Sequence, residues 1–339
     1  MSKFIINPAV KSLFNKSKRK PIMKINFLGT GGAFHPHLGG SSMIMQFGPT
    51  ILVDCGGGVF EKLLEQKLVK DIDYIFITHT HEDHISSLST LIYYKKLLLE
   101  QTVKIECPVA IQSRLEKYLY EVCGHIPSDF ELNSNEESTF YEDLNMIIYK
   151  VDTSGHHDAR DPNFPCGGFV FHFKFEGEKM YIVYSGDINQ SFIQYIRNHS
   201  SYSEIYKEIC EKPENVFIFH EATSFEYPNQ PHCLYTILEK DLEVFPNILT
   251  YHHNEDEAKK IVGDQYNTIV ELEKEIEELD RDAAFNFVGD EDTEENRNAY
   301  KEKKAELVLE VSKMKKMSKL TSLTQMIEPN FYIEKDSTI

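Results

Sequence analysis

The sequence lacks the features that mark secreted and membrane-spanning chains. Its six cysteines include no CxxC pair and form no dense framework, which favours reduced thiols. No apolar run approaches the roughly 20 residues that a membrane span requires. We therefore expect a soluble, cytoplasmic protein that does not associate with a membrane.

Positive charge is scarce, with 36 Lys and Arg against 54 Asp and Glu and a formal net charge of −18. This balance works against broad, nonspecific affinity for nucleic acid phosphates, although a local basic patch is compatible with it. Acidic residues are in turn absent from residues 1–53, and basic residues crowd Lys16–Lys20. We interpret residues 1–22 as a basic N-terminal extension and favour a solvated tail over an organellar leader.

What the sequence does contain is a dense group of metal-binding side chains after the apolar run Asp73–Ile77, which predicts a buried strand. His79 and His81 alternate along the chain beyond this strand, so their side chains point the same way and can share one ion. Asp83 and His84 begin the next helix and turn toward a second ion. Imidazole and carboxylate suit Zn better than Ca or Mg, with Mn and Fe as alternatives. The sequence therefore predicts two divalent ions.

This HxHxDH motif after a strand resembles the metallo-β-lactamase superfamily. The resemblance implies an α/β fold, the αββα sandwich, in which two mixed sheets face each other between outer helices. It also implies roles for residues elsewhere in the chain. Asp54 would support the metal loop, Asp187 would bridge both ions, and one of His156 and His157 would complete the first ion's ligands.

Residues 220–223 (His-Glu-Ala-Thr) resemble the RNase Z and cyclic-nucleotide phosphodiesterase branch of that superfamily, as does the Gly-Thr-Gly turn after the first strand. The resemblance implies that Glu221 pairs with His232 and that His252 binds the second ion, with His253 as the alternative. It implies phosphodiester hydrolysis by attack of a metal-bound hydroxide. His232 would be the general acid held by Glu221, and Asp83 would also orient the water.

Three departures from RNase Z argue against a tRNA substrate. The chain has no room for a long basic arm between His157 and Asp187, and Ser87–Ser89 and Asn254–Glu257 replace two of the RNase Z motifs. We therefore favour a small or cyclic nucleotide. The alternatives are RNase Z-type tRNA 3′ processing, a non-phosphate hydrolase of the same fold, and a metal-containing binding protein.

Composition and periodicity divide the chain into a catalytic domain over residues 23–257, a helical hairpin over 258–327 and a tail over 328–339. The hairpin is expected to mediate a homodimer, with a cap over the active site or a solvated hairpin as alternatives. Within the catalytic domain, Ile85–Leu99 is predicted to be one apolar helix and Val109–Ala110 to belong to a strand.

Overall fold

The structure is a computed structural model with two compact units, Met1–Glu255 with Ser322–Ile339, and Asp256–Thr321. Among the described residues, no helix is both long and apolar enough to cross a membrane. The described residues are 21–35, 38–47, 49–134, 138–142, 144–154, 161, 163–175, 177–223, 232–252, 271–272, 274–280, 294–317, 321–322 and 330–334.

Two mixed sheets form the first unit, and each contains seven strands within the described residues. The first sheet has the order β14-β1-β2-β3-β4-β5-β6 and the second has the order β13-β12-β11-β10-β9-β8-β7. The strands of the first sheet are β1 (Pro21–Gly29), β2 (Ser42–Gln46), β3 (Thr50–Val53), β4 (Ile72–Phe76), β5 (Val103–Glu106), β6 (Phe130–Asn133) and β14 (Asn330–Glu334). Those of the second are β7 (Ser138–Tyr141), β8 (Met146–Asp152), β9 (Gly167–Phe175), β10 (Glu178–Tyr184), β11 (Val216–Glu221), β12 (Ile248–Tyr251) and β13 (Thr321–Ser322).

The helices of the first unit follow the parallel strands, as crossover connections require. They are α1 (Val59–Glu65), α2 (Glu82–Ile85), α3 (Leu88–Tyr93), α4 (Val109–Lys117), α5 (Phe192–Asn198), α6 (Ser203–Glu211) and α7 (Tyr235–Leu242). Two π-helical segments, Tyr94–Leu98 and Tyr118–Val122, extend α3 and α4. This arrangement confirms the predicted α/β sandwich.

Successive side chains of a strand point to opposite faces of the sheet, and the strands here are apolar at successive positions. Both faces of each sheet are therefore buried. In β3, Ile51 and Val53 belong to the cluster between the sheets, whereas Leu52 belongs to the cluster beneath the helices. In β4, Phe76 faces the opposite sheet and meets Phe169 edge to face, with 5.2 Å between the ring centroids. The two sheets are therefore fixed against each other by side chains that interlock between them.

A buried ion pair links the two sheets at one side of this core. Lys150 Nζ on β8 lies 2.7 Å from Glu106 Oε2 on β5, and the two side chains are 1% and 3% exposed. Tyr141 donates a further hydrogen bond of 2.7 Å to the same oxygen. Breaking such a pair on one side leaves the other charge buried without compensation.

We expect Lys150→Met to lower the free energy of unfolding by about 3–5 kcal/mol, because Glu106 then stays buried as an unpaired carboxylate. Urea denaturation of the metal-loaded protein measures this. The double variant Glu106→Gln, Lys150→Met removes both charges and should regain most of the loss. Equal destabilisation of the single and double variants would show that the pairing of the two charges is not what matters.

Three segments of the first unit differ from the prediction. Residues 85–99 do not form one helix, because the chain turns between α2 and α3, where Ser87 N–H donates to the Cys55 carbonyl. Val109 begins α4 rather than belonging to a strand, since Pro108 cannot donate to a sheet and becomes the N-cap. Residues 330–334, predicted as tail, form a strand that pairs antiparallel with β1.

The second unit contains helical residues at 271–272 and 274–280 and the helix α8 (Glu294–Met317). Asp280 Oδ1 accepts hydrogen bonds from Tyr300 at 2.5 Å and from Lys304 at 2.6 Å, which ties the two helical segments together. The predicted helical hairpin over residues 258–327 stays a prediction, since much of that range lies outside the described residues and its residues 321–322 form the strand β13. Residues 1–20 of the predicted basic extension over 1–22 lie outside them as well, whereas residues 21–22 belong to β1.

Candidate metal centre

The predicted metal loop leaves the sheet at the end of β4. The chain continues through Thr78 to His81, which is the N-cap of α2 with an extended backbone. His79 is fully buried, and its Nε2 lies 3.2 Å from His81 Nδ1. The two imidazoles therefore converge on one point, as the alternation along the extended chain predicts.

Asp54 supports this loop from below, at the end of β3. Its carboxylate accepts hydrogen bonds of 2.8 Å from the Thr78 backbone N–H, the Thr78 hydroxyl and His84 Nδ1. Burial raises the pKa of Asp54, although the contacts with His84 and Thr78 oppose that rise. With Nδ1 held by Asp54, His84 presents its other ring nitrogen, Nε2, to the centre.

Asp54→Asn is expected to weaken metal binding by about 10- to 100-fold, because residues that orient metal-ligating histidines contribute on that scale. Asn tolerates the positive φ of 57° at this position, so the backbone should not change. Competition with a chromogenic chelator measures the affinity. Asp71→Asn, at an exposed carboxylate, is the control and should bind metal as the wild type does. Unchanged affinity in Asp54→Asn would contradict the supporting role.

Asp187 occupies the middle of the centre. It follows β10 through the turn Ser185-Gly186, where Gly186 has a φ of 61° and a Cβ would lie 2.2 Å from a backbone oxygen. The carboxylate is 1% exposed and lies 3.7 Å from His79 Nε2, 3.3 Å from His84 Nε2 and 3.4 Å from His252 Nε2. Burial raises the pKa of Asp187, but His252, His84 and His79 outweigh it and hold the pKa well below the usual value.

Asp83 and His252 form the other side of the centre. His252, just after β12, has a φ of 69°, and its backbone N–H donates to the Thr30 carbonyl at 2.9 Å. Its Nε2 lies 2.9 Å from Asp83 Oδ2. Burial raises the pKa of Asp83, and the neighbouring His84 and His252 more than reverse that effect, so the pKa is lowered. Side chains far apart in sequence thus meet at one edge of the sandwich.

Glu221 and His232 form a hydrogen-bonded pair next to these residues. Glu221, at the end of β11, is fully buried, and its Oε1 accepts hydrogen bonds from the Ile188 and Cys233 backbone N–H groups. Its Oε2 lies 2.9 Å from His232 Nδ1. Burial lowers the pKa of His232, but Glu221 outweighs this effect, and the pKa rises to about 9. His220, which precedes Glu221 in the chain, is buried and accepts a hydrogen bond from the Phe192 backbone N–H rather than facing the centre.

These side chains fit a pair of divalent ions. Buried His84 Nε2 has no hydrogen-bond partner among the described residues although it faces carboxylates. Nitrogen and carboxylate oxygen are the donors that zinc and related metals take. Three overlapping groups have ligand atoms within 4.8 Å of one another: His79, His81, Asp187; Asp83, His84, His252; and Asp187, Glu221, His232, His252.

The structure brings together His79, His81, Asp83, His84, Asp187, Glu221, His232 and His252. His156, His157 and His253 lie outside the described residues. Two neighbours carry no signal in the sequence. The Phe164 ring lies 4.3 Å from the His81 ring, and Arg114 stacks on Phe164 with its Cζ 4.3 Å from the ring centroid. Only the folded chain places these two residues beside the centre.

The sequence matches the family model described as Anti-Pycsar protein Apyc1 over residues 23–276, well over half of the chain. It is similar to ribonuclease Z of Methanopyrus kandleri, with 32% identity over 135 residues that cover 37% of this chain and 45% of that protein. It is also similar to the Anti-Pycsar protein Apyc1 of Bacillus phage BSP38, with 38% identity over 79 residues that cover 22% of this chain and 31% of that protein. The chain thus spans less than half the length of these relatives.

Among solved structures, the metallo-β-lactamase fold protein YhfI from Bacillus subtilis superimposes with a TM-score of 0.52 at 18% identity. The superposition covers 70% of this chain and 88% of that one. At this identity the similarity shows the fold, and that fold is the one the motifs predict. The chain has the metallo-β-lactamase fold and belongs to the Anti-Pycsar protein Apyc1 family.

Proposed function

We propose that this chain is a dinuclear metal-dependent phosphodiesterase that hydrolyses a nucleotide phosphodiester, with a small or cyclic nucleotide as its substrate. The observation that carries the proposal is the 2.9 Å contact between His232 Nδ1 and Glu221 Oε2 beside a dense group of metal-ligating side chains. Breaking a P–O bond to a sugar releases an alkoxide that needs a proton. A lactamase or thioester hydrolase does not need this pair.

Divalent ions, when bound, supply the positive charge that activates water and offsets the charge of the transition state. His79, His81 and Asp187 would hold one ion, with His156 or His157 as the predicted additional ligand. Asp83, His84, Asp187 and His252 would hold the other, and zinc suits both donor sets, with Mn and Fe as alternatives.

The chain's own residues then have separate tasks. Glu221 is fixed by two backbone N–H groups and holds His232 at Nδ1. His232 is therefore oriented to give the proton on Nε2 to the leaving oxygen. Its side chain is 25% exposed, in contrast to fully buried Glu221, so substrate can reach it. Asp83 lies at the same edge and is suited to orient the attacking water.

RNase Z activity on precursor tRNA is the second candidate, favoured by the similarity to the Methanopyrus kandleri ribonuclease Z. The formal charge of −18 opposes it, because binding to folded RNA depends on contacts with many phosphates. Homodimerisation through residues 258–327 and a cytoplasmic location also remain proposals.

The test is an assay of the zinc- or manganese-loaded chain on bis-p-nitrophenyl phosphate, a cyclic nucleotide panel and precursor tRNA. We expect turnover of the aryl diester and of at least one cyclic nucleotide, without tRNA cleavage. Cleavage of tRNA alone would favour the RNase Z alternative. Turnover of esters or thioesters alone would indicate a non-phosphate hydrolase, and tight metal binding without any turnover would indicate a binding protein.

A further inference from the structure

The turn after β1 lies directly against the metal centre. The Thr30 carbonyl accepts the backbone N–H of His252 at 2.9 Å. A Cβ on Gly32 would lie 3.3 Å from His252 Cε1, so the backbone of this turn packs on the face of that imidazole. His35 N–H donates to the Gly32 carbonyl at 3.1 Å and closes a β-turn. The turn is thus fixed to a residue of the centre.

Phe34 stands at the corner of this turn. It is 90% exposed, the most exposed large hydrophobic side chain among the described residues. Phe34 is two residues after Gly32 in the chain. Since consecutive Cα atoms are 3.8 Å apart, the Cα atoms of Phe34 and Gly32 lie at most about 7.6 Å apart. The backbone of an exposed phenylalanine therefore lies close to the turn that packs on His252, although burying such a side chain is worth roughly 1.5–3 kcal/mol.

Hydrogen bonds hold the base of the turn that carries Phe34. Gly31 N–H donates to the Gly39 carbonyl at 3.0 Å, and the Ser41 hydroxyl donates to the Gly31 carbonyl at 3.0 Å. An aromatic side chain has only two χ angles, so it loses little conformational entropy when a flat ligand stacks on it. Unpaired nucleobases are such ligands, and every base has a π face.

We propose that Phe34 is the stacking platform for the substrate's nucleobase and so selects nucleotide phosphodiesters over phosphodiesters without a base. This inference rests on the proposed function, since the phosphate would sit at the centre that His252 helps to form. The surface beside His252 then recognises the base, and the centre beneath it recognises the phosphate.

The chain contains no tryptophan, which permits a direct binding measurement. Phe34→Trp introduces the only indole, and the control Phe140→Trp places the only indole at another exposed phenylalanine, which lies on β7 and is 57% exposed. Stopped-flow fluorescence of the metal-loaded variants is recorded on mixing with the 3′,5′-cyclic phosphates of adenosine, guanosine, cytidine and uridine. We expect quenching before turnover in Phe34→Trp but not in Phe140→Trp. The matching cyclic sugar phosphate without a base should cause no quenching.

Kinetics supply the second measurement. We expect Phe34→Ala to lower the ratio of kcat/KM for the nucleotide to kcat/KM for the base-free compound by about 5- to 100-fold, mostly through KM. Phe34→Trp should keep this ratio, and so should Phe140→Ala. Unchanged fluorescence in Phe34→Trp, or an unchanged ratio in Phe34→Ala, overturns the stacking role alone. Base-dependent quenching in Phe34→Trp, together with a wild type that hydrolyses neither compound, overturns the proposed function and leaves the stacking role supported.

Discussion

Replacing Asp187 by asparagine is expected to empty the metal centre and to lower kcat/KM by about 1,000-fold or more, because several kcal/mol of charge stabilisation depend on the ions. Asp187 is the residue for which this effect should be largest. Its carboxylate lies within 3.7 Å of ring nitrogens from three histidines and occurs in two of the overlapping ligand groups. Asparagine keeps the shape of the side chain and removes the charge that would hold both ions.

Metal content by elemental analysis and turnover of bis-p-nitrophenyl phosphate measure the two parts of this prediction. Asp129→Asn is the matched control, because Asp129 is also buried but contacts His125, which belongs to none of the three ligand groups. That control should retain both ions. Full metal content together with unchanged turnover in Asp187→Asn would exclude a bridging role for this carboxylate.

His232→Ala is expected to leave metal content unchanged and to slow nucleotide hydrolysis by about 100- to 10,000-fold, the usual contribution of a general acid. His232 lies at the edge of the centre, and its closest carboxylate is Glu221 at 2.9 Å, whereas Asp187 is 3.9 Å away. Its main interaction is therefore with a residue that orients it. Glu221→Gln should cause a smaller loss, since the amide still contacts the ring but carries no charge.

The leaving group separates proton donation from a structural role. A p-nitrophenolate leaves without needing a proton, whereas the alkoxide of a nucleotide needs one. We therefore expect the loss in His232→Ala to be much smaller for bis-p-nitrophenyl phosphate than for the cyclic nucleotide. Metal analysis of the same samples is the control. Equal losses on both substrates, or loss of an ion, would remove the general-acid assignment.

Local sequence predicts a metal loop, and the structure brings its side chains together. Metal binding by this loop stays a prediction. The prediction for His79, His81, Asp83 and His84 requires only that a strand ends and a helix begins within a few residues. β4 and α2 meet this requirement. The sandwich was predicted from the resemblance that this motif carries. The predicted roles of Asp54, Asp187, Glu221, His232 and His252 were implied by the family resemblance, and the folded chain brings all five to one edge.

Predictions from local pattern failed where hydrogen bonds to a segment far away in the sequence determine the secondary structure. The periodicity of Ile85–Leu99 is helical throughout, yet the Cys55 backbone contacts both His84 and Ser87 and separates α2 from α3. Residues 330–334 contain a short aromatic and β-branched run that is compatible with a strand, but only the edge of β1 provides their partner.

The sequence by itself determined which potential metal ligands this protein carries, because the identity and spacing of its His and Asp residues set the available donor atoms. The tertiary structure alone decided that Asp187 stands between His79, His84 and His252, and that the turn carrying the exposed Phe34 packs on His252 through Gly32. Such distances depend on how two sheets pack and where their strands end. They follow from long-range burial rather than from any local pattern.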